Sequence, residues 1–121
     1  MNKLRIKLRI AALMGFIGVA LGAFGAHGLS KRFAGTENME IWKTAVFYHL
    51  VHTVVLLTLA LAAPPRAGAA YWSFFIGIVV FCGSLYLLAL SEITVLGAIT
   101  PLGGGALLLG WGQIFFKARH A

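Results

Sequence analysis

The chain has 121 residues, 60% of them hydrophobic and only 11% charged, with a mean hydropathy of +0.92; soluble domains run at roughly 45–50% apolar and 25% charged. That composition excludes an ordinary water-soluble fold, and Cys82, the only cysteine, excludes an intrachain disulfide or a thiolate metal cluster. The net charge of +7 does not point to nucleic acid, because the basic residues stand in short clusters beside apolar runs and act there as topology signals.

With lipid as solvent, the backbone must satisfy itself in helices or in a closed barrel. The apolar runs are about twenty residues long and do not alternate with polar residues, which selects helices. Lys3, Arg5, Lys7 and Arg9 lead into a first run over about 10–29, long enough for a hydrocarbon core of about 30 Å. It exceeds the roughly 7–15 apolar residues of a cleaved signal peptide. Gly15, Gly18, Gly22 and Gly25 recur at spacings of three and four, and Gly18 to Gly22 forms a GxxxG pair. A second helix is expected to pack closely on that face, the alternative being the general glycine enrichment of membrane helices. After a turn over 30–35, Thr36 with Glu37 and Glu40 starts a second helix over about 40–63, with Trp42 and Lys43 at the water boundary and Pro64-Pro65 as its stop.

A third helix is expected over about 69–91, anchored by Tyr71 and Trp72, with Gly77, Gly83 and Ser84 as small contact positions and Glu92 closing it. The fourth, over about 94–116, is interrupted by Thr100-Pro101 and Gly103-Gly104-Gly105, where a lost backbone bond allows a kink or a close approach. The expected fold is an all-α integral membrane protein, one domain over 1–121 with four transmembrane helices in an antiparallel bundle. Lys3, Arg5, Lys7, Arg9, Arg66, Lys117 and Arg119 fall on one side against Lys31, Arg32 and Lys43 on the other, which places both termini on the cytoplasmic side.

The polar residues inside these runs are the candidates for function. Tyr48, His49 and His52 lie in the second helix at i, i+3 and i, i+4 spacings that can share a face, and His52 stands roughly 16 Å from Ala63, close to mid-membrane. His27, Glu92 and Thr100 fall in the same outer half, and His27, Tyr48, His52 and Thr100 are expected to form one network. A neutral histidine hydrogen-bonded across helices stabilises packing by about 0.6–2 kcal/mol. A metal or haem ligand set is a second reading, although no HExxH or paired ExxH motif accompanies it. A proton- or ligand-handling pocket is a third. Glu92 also reads as a solvated interface carboxylate, and Cys82 as a small buried hydrophobe. There is no nucleophile and base pair to indicate an enzyme.

The segments Gly22-Ala-Phe-Gly-Ala-His-Gly-Leu29, Trp42-Lys-Thr-Ala45, Phe47-Tyr-His-Leu-Val-His52, Phe81-Cys-Gly-Ser-Leu-Tyr86 and Ile99-Thr-Pro-Leu-Gly-Gly104, with Gly110-Trp111, resemble a family of small membrane proteins of unknown function, the DUF423 family of bacterial YgdD and animal transmembrane protein 256. The resemblance spans all four helices. It implies a four-helix protein of bacterial cytoplasmic or mitochondrial-type membranes with no assigned activity, here expected in the cell (inner) membrane, and it marks His27, Tyr48, His52, Ser84, Tyr86, Thr100, Pro101 and Trp111 as signature positions. The expected function is a structural or accessory membrane component with a polar His/Tyr pocket, its partners being the lipid bilayer and other membrane proteins or a second copy. The alternative is a small binding protein for a metal, haem, quinone or lipid using His27, His49 and His52.

Overall fold

The computed structural model describes residues 2–62 and 67–118. The expected proline stop at Pro64-Pro65, and Arg66 and Arg119 of the charge count, lie outside the described residues. Among the described residues four helices are each long and apolar enough to cross a membrane: α1 (Asn2–His27), α2 (Asn38–Ala62), α3 (Gly68–Ser91) and α4 (Leu96–Ala118). Helix α1 starts well before Ile10, because lysine, arginine and leucine are good helix formers and nothing in the basic leader breaks the turn. At about 1.5 Å per residue it outreaches the hydrocarbon core, so its charged first turns can stand in the interface. The outer surface is apolar on every helix. Phe16, Leu102, Leu108 and Phe115 are 72–74% exposed, a pattern suited to lipid and far beyond the apolar patches that water tolerates.

The connection from α1 to α2 is locked from both sides. Gly35 takes a positive φ of 74°, and the buried Phe33 tucks beneath Trp42 with ring centres 6.0 Å apart. The Thr36 hydroxyl accepts the Asn38 N–H at 3.2 Å and so caps the start of α2. At the same end Glu92 adopts the left-handed conformation, φ 58°, and its N–H returns to the Leu88 carbonyl at 2.8 Å to finish α3. Arg32 donates to the Leu90 carbonyl at 2.6 Å, placing a cation on the negative end of that helix.

Consecutive helices run antiparallel. Close backbone packing joins α1 to α2, α2 to α3 and α3 to α4, whereas among the described residues α2 and α4 meet through side chains only. Between α3 and α4, large residues of one helix meet glycines of the other: Phe74 lies against Gly110, Leu107 against Gly77, and Phe81 against Gly103. One rung further, the Ser84 and Thr100 hydroxyls are 2.6 Å apart. Helix α3 widens into a π-helical stretch over Ile78–Cys82, and Gly103 packs directly on the Phe81 backbone within it, where any Cβ would collide. Helix α4 runs unbroken through Pro101, against the expected interruption. Pro101 stands in the second turn with its ring on the exposed side, so only one bond near the helix start is lost.

Candidate functional site

Helix α1 has no hydrogen-bonding side chain between Ile10 and Ala26, and its neighbours bond to its backbone instead. The Tyr71 O–H donates to the Lys7 carbonyl at 2.7 Å, a His49 ring N–H to the Met14 carbonyl at 2.9 Å, and the Trp42 N–H to the Leu21 carbonyl at 2.9 Å. These three acceptors are seven residues apart. A helical carbonyl points towards the residue four positions on, and here those residues are Ala11, Gly18 and Gly25, the three buried positions of α1. Small side chains there leave each carbonyl's second lone pair within reach of a donor.

His49 and His52 both lie in α2 and are both buried, yet they serve different neighbours. The Met14 carbonyl can only accept, so His49 donates from Nε2 and accepts at Nδ1 from the Tyr86 O–H at 2.9 Å. His49 thereby ties α1, α2 and α3 at one point as a neutral ring. His52 has the opposite tautomer: Nδ1–H donates to its own helix at the Tyr48 carbonyl, 2.9 Å, while Nε2 accepts the Trp111 indole N–H of α4 at 3.1 Å. The Tyr48 ring lies parallel to His52 at 5.9 Å. Both lone pairs that could ligate a metal are therefore engaged. Among the described residues no three His, Cys, Asp or Glu side chains are grouped for a metal ion.

The expected single network is instead three separate groups. His49 pairs with Tyr86; His52 pairs with Trp111 and stacks on Tyr48; Ser84 pairs with Thr100, each hydroxyl also facing a carbonyl of its own helix, Phe81 at 2.9 Å and Leu96 at 3.2 Å. An i, i+3 pair is still separated by roughly 60° around a helix, enough to turn His49 towards α1 and His52 towards α4. His27 is exposed at the last turn of α1 and bonds to none of the other candidates, and Glu92 is exposed beyond α3. Sequence reasoning missed the Trp42 and Tyr71 bonds to α1 and the Ser73–Gln113 pair of 2.9 Å between α3 and α4. The signals were present as the heptad of Ala11, Gly18 and Gly25 and as two amide or hydroxyl side chains inside apolar runs.

Because α2 and α4 meet only through side chains, a lateral groove of about 480 Å³ opens between them. Tyr48, His52 and Trp111 form its polar part, and Phe81, Gly104 and Gly105 are among the residues that line the rest. Tyr48 is 38% exposed, and among the described residues its hydroxyl has no hydrogen-bond partner.

Comparison with known proteins places this architecture. A family model described as a protein of unknown function, DUF423, matches residues 21–104. The chain is 46% identical over 118 residues to the UPF0382 inner membrane protein YgdD of Escherichia coli strain K12, covering 94% of this chain and 89% of the relative. It is 39% identical over 120 residues to the UPF0382 membrane protein YwdK of Bacillus subtilis strain 168, covering 95% and 97%. A UPF0382 membrane protein of Staphylococcus epidermidis is 40% identical over 111 residues, covering 89% and 90%. No solved structure matches.

Proposed function

The chain belongs to the DUF423 family, whose members compared above are membrane proteins, and from that premise we propose that it is a structural or accessory component of the inner membrane whose buried polar side chains fasten helices together. It is a multi-pass inner-membrane protein with four spanning helices. The observation that carries the structural reading is His49, with one ring nitrogen on the Met14 carbonyl of α1 and the other on the Tyr86 hydroxyl of α3. Every hydrogen-bonding capacity of the ring is used, and nothing is left over for a substrate.

A second reading, a binding site for a lipid-soluble molecule, is favoured by the groove beside His52. Its lining is mostly apolar, it lies between α2 and α4, and it is lined by Tyr48, whose hydroxyl has no hydrogen-bond partner among the described residues. Such a ligand would be a lipid or quinone with one polar group set against Tyr48, since neither histidine offers a vacant lone pair to a metal or haem.

One experiment separates the two readings. His49→Ala and Tyr86→Phe should each lower the stability of the detergent-purified protein by about 0.6–2 kcal/mol. Gly105→Leu, at a groove-lining position where an added Cβ meets open space, should occupy the groove without disturbing the packing. Under the structural reading, solvent extracts of all variants carry the same small molecules as the parent. Stoichiometric loss of one molecule from Gly105→Leu alone would establish the groove as the functional site and overturn the structural reading.

A further inference from the structure

Charge is distributed unevenly along the long axis of the molecule. At the end where α2 begins and α3 stops, Lys31, Arg32 and Lys43 stand with Glu37, Glu40 and Glu92, three cations with three carboxylates. Those are all the acidic side chains of the chain. The opposite end holds Lys3, Arg5, Lys7 and Arg9 at the start of α1, with no acidic side chain among the described residues of that end. Lys3 and Lys7 are also four residues apart on α1, the spacing at which like charges repel on a helix face.

These two lysines line one cleft between α1 and the start of α3, of about 330 Å³, together with Ile6, Gly68 and Trp72. An adjoining recess of about 170 Å³ shares both lysines and Gly68 and reaches inward to Tyr71. The arrangement is held from below, where Tyr71 donates to the Lys7 carbonyl at 2.7 Å and the Lys7 ammonium lies 5.1 Å from the centre of the Tyr71 ring. The cleft continues onto hydrocarbon-facing surface. Trp72, Ile76 and Val79 are 40–52% exposed and follow one another at helical spacing down α3. A ligand matched to both parts carries an anionic group and a hydrocarbon chain.

We infer that the Lys3–Lys7 cleft binds an anionic phospholipid, its phosphate between the two ammonium groups and an acyl chain along Trp72, Ile76 and Val79. Basic pockets between membrane helices hold such headgroups, and each nearby cation strengthens the attraction about fivefold. This site shares only the Tyr71 contact with the helix-fastening bonds described above, lies outside the His49, His52 and Ser84 groups, and goes beyond the function proposed above.

The test uses the full chain, purified in detergent and stripped of lipid. It is titrated with phosphatidylglycerol and, separately, with phosphatidylcholine of the same acyl chains, reading thermal unfolding and lipid retained in native mass spectra. Phosphatidylglycerol should bind roughly 25-fold more tightly and raise the melting temperature further. Lys3→Gln with Lys7→Gln should erase that preference, and Lys3→Gln alone, at an exposed side chain whose loss leaves the packing intact, should lower it about fivefold. Arg5→Gln with Arg9→Gln, the same charge change roughly on the other side of α1, should leave it in place. Equal binding of the two lipids, equal loss in both double variants, or a matching shift with inorganic phosphate alone would overturn the assignment.

Discussion

His49 and His52 show how much two identical side chains three residues apart can differ. His49 donates from Nε2 and accepts at Nδ1; His52 donates from Nδ1 and accepts at Nε2. Each choice is set by a partner with one possible role, a carbonyl that only accepts or an indole N–H that only donates. Because they belong to separate groups, their energetic effects should be separate. A double-mutant cycle of His52→Ala with Trp111→Phe should give a coupling of about 0.6–1.7 kcal/mol in detergent unfolding. The cycle of His49→Ala with Trp111→Phe should be additive within about 0.5 kcal/mol. Strong coupling in the second cycle would mean that one continuous network exists after all.

At the scale of the element, α1 and the α3–α4 pair use small residues for two distinct purposes. In α1 they open carbonyls to donors: a Cβ at Gly25 would strike the Trp42 ring, and one at Gly18 would lie 3.3 Å from His49 Nε2. Trp42 cannot turn aside without losing its bond to the Leu21 carbonyl. Between α3 and α4 the small residues admit backbone itself, as Gly103 does at the π-helical stretch. Not every glycine in these helices has such a role. Gly103→Ala should destabilise the purified protein by about 1–3 kcal/mol through overpacking, whereas Gly105→Ala, facing open space, should be neutral or stabilising by up to about 1 kcal/mol through helix propensity. Thermal unfolding of the two variants side by side reads the difference. The glycine spacings in α1 were visible in the sequence, but Gly103 and Gly105 look alike there, because only the position of the neighbouring helix tells them apart.

For the whole molecule, charge asymmetry supports both termini on the cytoplasmic side, with seven Lys and Arg against three. Reporter fusions at the N-terminus and at the C-terminus should report inside, and a fusion near Gly35 outside; an inside signal at Gly35 would remove this topology. Composition and run length by themselves determined a membrane protein of four helices, since about twenty uncharged apolar residues have few other stable states in lipid and few soluble ones in water. They also marked the buried histidines as unusual, because an imidazole in hydrocarbon needs a partner. Which partner each one has was decided only by the tertiary structure. Met14, Leu21 and Lys7 contribute backbone carbonyls, which every residue possesses and no side-chain pattern advertises. Tyr86 and Trp111 reach their histidines from helices 37 and 59 residues away in the chain, at rotations about each helix axis set by the packing of glycines against large side chains across the α1–α2 and α3–α4 contacts.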